Sequence, residues 1–361
     1  MKKGYERETI ARVQGYEPGK QPKSREVVKL NTNENPYPPG EAVMSALQGL
    51  EAEALRRYPP PLADRFRETA ARIHGLSPEN LLAVNGGDEL LRLAVTTFVD
   101  PGSPIGMVDP SYSLYPVLAA LHGSPLVRLP AGEDWSPPAD LARRMNDQGV
   151  RLLFLVNPHA PSGYLLPASR VAELAEEFNG VLLVDEAYVD FVDPELGHDL
   201  PRLIARYDNL LLLRSLSKGY SLAGLRFGYG MGRRDLIAPM LYKTRDSYNL
   251  DAVAQALATA SLQNRDQAAH TWQRVRQARA RLRAGLVDLG FQVPESHSNF
   301  LLARIEPGAL DAGAIQRTLE ERGILVRYFP NPRLHDCLRI SVGTEEQNRK
   351  LLGALEEILR G

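Results

Sequence analysis

One cysteine, Cys337, stands in the 361 residues. A lone cysteine excludes an intrachain disulfide and cannot build a thiolate metal cluster, so no metal site is expected. It reads as a small buried hydrophobe rather than as a nucleophile. An excess of one charge is also missing. Lys and Arg number 43 against 44 Asp and Glu, interspersed along the chain, for a formal net charge of −1. That leaves no concentrated basic surface of the kind nucleic acid requires. No apolar run approaches the length of a membrane span. The opening MKKGYERETI has two lysines but no apolar stretch behind them, so no secretory signal is expected. Internal repeats and low-complexity segments are lacking as well. Together these absences point to a cytoplasmic protein without nucleic-acid or membrane partners.

What is present is ordinary globular material, 43% hydrophobic and 24% charged. The length fits one large domain and a smaller one. Residues 1–40 read as an extended arm, punctuated by Pro18, Gly19, Pro22, Pro36, Pro38, Pro39 and Gly40. Residues 41–260 read as the large domain and 261–361 as the small one, joined by a long helical stretch near 251–289. Glu41 to Ala54 is helical in composition. The arginines of the linking stretch (Arg274, Arg276, Arg279, Arg281 and Arg283) read as a solvated helix face.

The large domain alternates short apolar runs with helical stretches such as Ala168 to Phe178. The runs are Leu81 to Val84, Ile105 to Val108, Val150 to Val156, Val181 to Val184 and Asn209 to Leu213. This is the signature of an α/β domain whose mostly parallel sheet is covered on both faces. Ligands of such sheets bind beyond the carboxyl ends of the strands. The polar clusters NGGDE, DPSY, NPHAPSG, DEAY and RSLSK all follow those runs. In the small domain, Phe300 to Ala303 and Cys337 to Val342 are expected strands, and Leu352 to Leu359 a closing helix.

Each cluster offers a chemistry beside a bland alternative. In NGGDE, backbone amides at a helix start could hold a phosphate. Taken alone, the stretch is an ordinary turn with Asp88 as helix cap. Asp185 could pair with a protonated heteroaromatic nitrogen, while Tyr188 and Asn157 could hydrogen-bond a ring oxygen. Lys218 could be a surface lysine. Its neighbours Ser215, Ser217 and Arg226, the last a fork suited to phosphate, argue instead for an amine able to form a Schiff base with an aldehyde. A single ligand carries a phosphate, a ring nitrogen, a ring oxygen and an aldehyde: pyridoxal 5′-phosphate. The order and spacing of the set give the reading its specificity, with 28 residues from 157 to 185, 33 from 185 to 218 and 8 from 218 to 226.

On these residues the chain resembles the fold-type I, pyridoxal-phosphate-dependent aminotransferases of class I/II over almost its full length. It is most similar to their histidinol-phosphate branch. The branch marks are GYEPG (15–19), VKLNTNENPYPP (28–39), RYPPP (57–61), GGDELL (86–91), SNFLL (298–302) and VRYF before LRISVGT. The resemblance implies a large domain with a mostly parallel central sheet flanked by helices, plus a small α+β domain. It implies that Lys218 anchors the cofactor and shuttles a proton, and that Asp185 pairs with the ring nitrogen. Asn157 and Tyr188 would bind the ring oxygen, and Tyr112 would stack on the ring. Gly87, Asp88, Ser215, Ser217 and Arg226 would hold the cofactor phosphate. Tyr58 would reach that phosphate from a second subunit of a homodimer with shared active sites. Arg339 and Arg327 would bind the anionic end of the substrate, Asn157 would border it, and Tyr16 would come from the partner's arm.

The implied activity is ping-pong transamination between L-histidinol phosphate and 2-oxoglutarate in histidine biosynthesis. An aromatic or other amino-acid aminotransferase, and a decarboxylase of a phosphorylated amino acid, remain alternatives. One motif departs from the family pattern. NPHAPSG stands where NPNNPTG is usual, with His159 and Ala160 replacing two asparagines. His159 reads as a catalytic base or as a packing and hydrogen-bonding residue. Tyr115 and Tyr220 read as packing residues, Arg327 also as a structural ion-pair partner, and 243–251 matches no motif.

Overall fold

The computed structural model describes residues 4–22, 24, 26–305 and 310–360. Among these described residues eleven strands form two sheets. They are β1 (Val28–Leu30), β2 (Leu81–Val84), β3 (Ile105–Asp109), β4 (Leu126–Pro130), β5 (Leu152–Val156), β6 (Val181–Asp185), β7 (Leu210–Ser215), β8 (Gly228–Met231), β9 (Phe300–Arg304), β10 (Ile324–Tyr328) and β11 (Cys337–Ser341).

The larger sheet runs β2-β8-β7-β6-β5-β3-β4. The neighbours from β7 to β4 are parallel, and only β8 runs against its neighbours. Its central strands are continuous apolar runs, and β5 is buried at every position. That pattern follows from burial on both faces. One apolar cluster joins the sheet to the helices Asp64–His74 and Ala168–Glu177, and another to the helix Gly87–Phe98. The carboxyl ends of β2, β3, β5, β6 and β7 open on one edge.

The smaller sheet runs β1-β10-β11-β9. It is covered by the helices Ala312–Glu321 and Glu345–Arg360, with the end of Arg265–Asp288. β1 pairs in parallel with β10, Val28 opposite Ile324. The segment that reads as an arm in sequence therefore contributes a strand, because VKL presents Val28 and Leu30 to the apolar cluster.

Three helical expectations need correction. Glu41 to Ala54 is two helices, Glu41–Gln48 and Ala52–Arg56, parted at Gly49. The stretch from 251 to 289 breaks at Asn264 into Ala252–Gln263 and Arg265–Asp288. The arginine face is only partly solvated. Arg279 donates to the carbonyls of Phe191 and Ser298, and Arg283 to that of Val293. These bonds spend the charged heads on backbone acceptors of neighbouring segments.

Strands β1, β4, β8 and β10 go beyond the runs read from sequence. β8 hides because Gly228 and Gly230 interrupt its apolar pattern. A Cβ at Gly228 would stand 3.0 Å from the Gly87 amide nitrogen. The glycine thus lets β8 pass directly under the start of the helix Gly87–Phe98.

Candidate active site

A cavity of about 400 Å³ opens at the carboxyl edge of the larger sheet and is roofed by the smaller sheet. Gly87, Asp88, Tyr112, Asp185, Tyr188, Ser215, Ser217, Lys218 and Arg226 line it from below. Arg327, Arg339 and Tyr16 line it from above. Twelve of the fourteen residues singled out from sequence therefore meet in one place. Asn157 and Tyr58 do not line it.

Asp185 ends β6 and is almost fully buried. Its Oδ1 accepts from the Ala187 amide at 3.1 Å and its Oδ2 from the Tyr115 hydroxyl at 3.0 Å. Burial pushes the carboxyl up to about 6, and those two donors only partly restrain it. Tyr115, which reads as packing in sequence, is thus a ligand of the site's central carboxylate. It also stacks on Phe154, with centroids 4.5 Å apart. Its spacing of three residues from Tyr112 was the available signal, since both lie on one side of the turn into the helix Leu114–His122.

Lys218 follows β7. Its Nζ donates to the Thr32 carbonyl at 2.8 Å. Burial, aided by nearby Arg339, pulls the amine down to about 8. Thr32 belongs to TNEN in the segment after β1, so the smaller sheet's leading edge supplies the acceptor. Next to it, Asn33 donates to the Tyr188 hydroxyl at 3.1 Å. Neither Thr32 nor Asn33 is singled out by sequence reasoning, although both stand inside a quoted branch motif.

The phosphate-type corner is built where β2 turns into the helix Gly87–Phe98. Gly86, not Asp88, occupies the cap position, and no side chain caps the first amides. The Asp88 carboxylate instead accepts from Tyr112 at 3.2 Å and lies 3.6 Å from Arg226. Gly86 has φ 75°, and a Cβ there would meet Arg226 Nη2 at 2.6 Å. Ser217 Oγ lies 3.5 Å from Arg226 Nη1 and the Ser217 amide donates to Ser215 Oγ at 3.1 Å. Open helix amides, a guanidinium and two hydroxyls form an anion cradle.

Asn157 departs from expectation. Its Nδ2 donates to the Leu166 carbonyl at 3.0 Å, and its Oδ1 accepts from the Leu166 amide at 2.9 Å. The amide staples the loop after β5, and one N–H remains for any ligand. His159, in the same loop, is buried with both ring nitrogens engaged: Nδ1 with Ser162 Oγ at 2.7 Å and Nε2 with the Pro110 carbonyl at 2.9 Å. Burial pulls it down to about 4, so the ring is neutral and locked, a structural part rather than a base. Cys337 is buried, and burial pushes its thiol up to about 12.

Tyr16 packs edge-on to Tyr112 of the same chain at 5.8 Å. Further along the arm, Lys20 pairs with Glu320 and Asn31 donates to the Lys20 carbonyl. Tyr58 is 81% exposed and stacked on Tyr248, with centroids 4.5 Å apart. Tyr248 gives the unmatched segment 243–251 a place. Its neighbour Asn249 donates to Glu89 and to the Ala83 carbonyl, propping the β2 turn from behind.

Among the described residues two groups of this cavity stand unmatched: the buried Asp185 carboxylate pairs with no cation, and the Lys218 amine pairs with no carboxylate. A ligand with a basic ring nitrogen and an aldehyde relieves both, and the cradle accepts its phosphate. The residues present therefore fit pyridoxal 5′-phosphate. Fold and site together define a fold-type I, pyridoxal-phosphate-dependent enzyme.

Comparison with known proteins narrows this class. The chain matches the family described as aminotransferase class I and II over residues 25–355 and belongs to it. It is 42% identical to a histidinol-phosphate aminotransferase of Rippkaea orientalis (strain PCC 8801 / RF-1), covering 98% of both chains. It is 40% identical to one of Microcystis aeruginosa (strain NIES-843 / IAM M-2473), again over 98% of each. Among solved structures it resembles a histidinol-phosphate aminotransferase of Sinorhizobium meliloti in complex with pyridoxal-5′-phosphate. The TM-score is 0.84 at 26% identity, over 92% of this chain and 90% of that one. A Thermus thermophilus aspartate aminotransferase mutant shares the fold, with TM-score 0.83 at 23% identity over 99% of this chain and 100% of that one.

Proposed function

We propose that this enzyme moves the amino group of L-histidinol phosphate to 2-oxoglutarate, in histidine biosynthesis. One observation carries the choice of substrate. Arg327 of β10 and Arg339 of β11 stand directly opposite each other in the antiparallel register. Neither pairs with a carboxylate among the described residues, which argues against Arg327 as a structural ion-pair partner. Like charges facing across a ladder repel. Arg339 Nε is also buried, with no hydrogen-bond partner among the described residues. A phosphate dianion between the two guanidiniums relieves both, and it does so better than a singly charged carboxylate. The closely similar relatives bear the same substrate name.

When bound, pyridoxal 5′-phosphate supplies an aldehyde for the amine and an electron-withdrawing ring that stabilises negative charge at the amine-bearing carbon. The chain's own residues do the rest. The Lys218 amine, with its lowered proton affinity, takes the proton from the amine-bearing carbon and returns it on the other side of the transfer. Asp185 would hold a proton on the ring nitrogen. Tyr112 would lie against the ring and Tyr188 would face the ring oxygen, while Asn157, outside the cavity lining, would reach that oxygen or the substrate only through its one remaining N–H. Gly87, Asp88, Ser215, Ser217 and Arg226 would hold the phosphate. Arg327 and Arg339 orient the substrate by its far end, and Tyr16 closes the mouth.

The enzyme would work as a cytoplasmic homodimer. Among the described residues no helix is long and apolar enough to cross a membrane. Tyr58, Leu55 and Tyr248 are large, apolar and exposed near the cradle's outer wall, a surface suited to a second copy. That copy would bring its Tyr58 to the cofactor phosphate.

A substrate panel tests the reading. Glutamate formation from 2-oxoglutarate should be much faster with histidinol phosphate than with phenylalanine or tyrosine. Carbon dioxide release without glutamate would indicate decarboxylation instead, and preference for the aromatic acids would move the enzyme to that branch.

A further inference from the structure

Arg333 belongs to the hairpin loop between β10 and β11, the strands that carry Arg327 and Arg339. Phe329, Asn331 and Leu334 of this loop line the cavity, whereas Arg333 points away from it, towards the larger sheet. Its two terminal nitrogens donate to the carbonyls of Ala131 and Gly132, in the loop after β4. Its guanidinium also lies 4.4 Å from the ring centroid of Trp135 in that loop. The fork is thus held by two acceptors and one aromatic face, a use that lysine could only partly copy.

Both ends of this contact are rigid. Within the hairpin, Asn331 Oδ1 accepts from the Arg333 amide at 2.9 Å, and the Leu334 amide donates to the Asn331 carbonyl at 2.8 Å. In the receiving loop, the Trp135 amide donates to Gly132 at 3.0 Å, and Gly132 donates to Ser136 at 2.8 Å. Trp135 is held at φ 71°, a conformation that its surroundings must impose. It is buried against Leu334, and its ring lies 6.0 Å from that of His159. His159 in turn is bonded to the Pro110 carbonyl, two residues before Tyr112. The departing histidine of the loop after β5 thus has a place: it backs the tryptophan that receives Arg333.

We propose that Arg333 is a positioning residue for the substrate's anionic end. It ties the hairpin bearing Arg327 and Arg339 to the larger sheet and so fixes their distance from Lys218. Phe329 transmits the position, because its ring sits 5.4 Å from the Arg327 guanidinium and 5.3 Å from that of Arg339. Naming the anion as a phosphate rests on the function proposed above; the tie itself does not.

The test uses the holoenzyme and its Arg333→Ala and Arg333→Lys variants. For Arg333→Ala, KM for histidinol phosphate should rise about tenfold or more, the scale of losing a charge-assisted bond and a cation–π contact. kcat and the cofactor's dissociation constant should stay within about twofold, because Arg333 touches neither Lys218 nor the cradle. The inhibition constant of inorganic phosphate should rise in parallel, with Arg333→Lys intermediate. Acrylamide quenching of tryptophan emission should increase, since Trp135 is one of only two tryptophans and loses its cover. Unchanged KM and phosphate inhibition would overturn the proposal. So would equal losses in kcat, KM and cofactor affinity, which mark general loosening. If the wild type does not turn over histidinol phosphate, the function reading fails; direct phosphate titration and the quenching experiment still decide the role of Arg333.

Discussion

The Tyr115 hydroxyl donates to Asp185 Oδ2 at 3.0 Å, and both side chains are buried. The phenol holds the carboxylate in place, and its donated bond lowers the carboxylate's proton affinity. A proton shared with a bound ring nitrogen would then favour the nitrogen.

Tyr115→Phe keeps the ring stacked on Phe154 and removes only that donor. Hydrogen bonds to charged groups contribute about 1.5–3 kcal/mol. The cofactor's dissociation constant should rise by roughly tenfold to a hundredfold. Absorbance titration of the apoprotein measures it. An unchanged constant would make Tyr115 a packing residue after all.

Lys218 gives a pH dependence. Only the neutral amine can react with an aldehyde. With the amine lowered to about 8, about a tenth is neutral at pH 7, against roughly three in ten thousand for an ordinary lysine. Cofactor incorporation should therefore speed up nearly tenfold from pH 6 to pH 7 and level off above about pH 8. Stopped-flow absorbance follows it. A rate still climbing tenfold per unit beyond pH 9 would show an unperturbed lysine.

Gly86→Ala probes the cradle. Gly86, at φ 75° and ψ 165°, occupies a region that is essentially glycine-only, which strains alanine by about 1–3 kcal/mol, and its Cβ forces Arg226 aside. Cofactor affinity should fall about tenfold or more, more than Arg226→Lys alone would explain if the open amides matter too. Equilibrium dialysis of the apoprotein decides.

Glu186, next to Asp185, anchors a polar cluster beneath the sheet edge. Its carboxylate meets Arg214 at 2.9 Å with no exposure of its own, and His198 lies 3.5 Å away. Burial pushes Glu186 up, but Arg214 and His198 outweigh it and hold the carboxyl below its ordinary range. Glu186→Ala strands a buried guanidinium and should cost about 3–5 kcal/mol of stability. Denaturant unfolding of the apoprotein measures the loss.

Much of the site is legible in the sequence because parallel strands leave their reactive residues in the few positions after each apolar run. Asp185, Ser215 and Lys218 need only that rule. What escapes it depends on contacts between distant segments. Thr32 meets Lys218 across 186 residues, and Arg333 meets Gly132 across 201. Strand β8 escapes for another reason: its glycines answer to the helix lying on it, not to a strand's own preferences. Asn157 stands at the expected strand end, yet its amide is largely spent on Leu166. Position along the chain cannot show how a side chain divides its hydrogen bonds.

Amine transfer from a phosphorylated donor through Lys218 can be measured directly. The direct measurement is the glutamate formed by purified, cofactor-loaded enzyme from L-histidinol phosphate and 2-oxoglutarate, with Lys218→Ala alongside. Turnover at about 1–10³ s⁻¹, abolished in the variant and inhibited competitively by inorganic phosphate, is the predicted result. No glutamate above the Lys218→Ala background, from an enzyme shown to carry its cofactor, would contradict it.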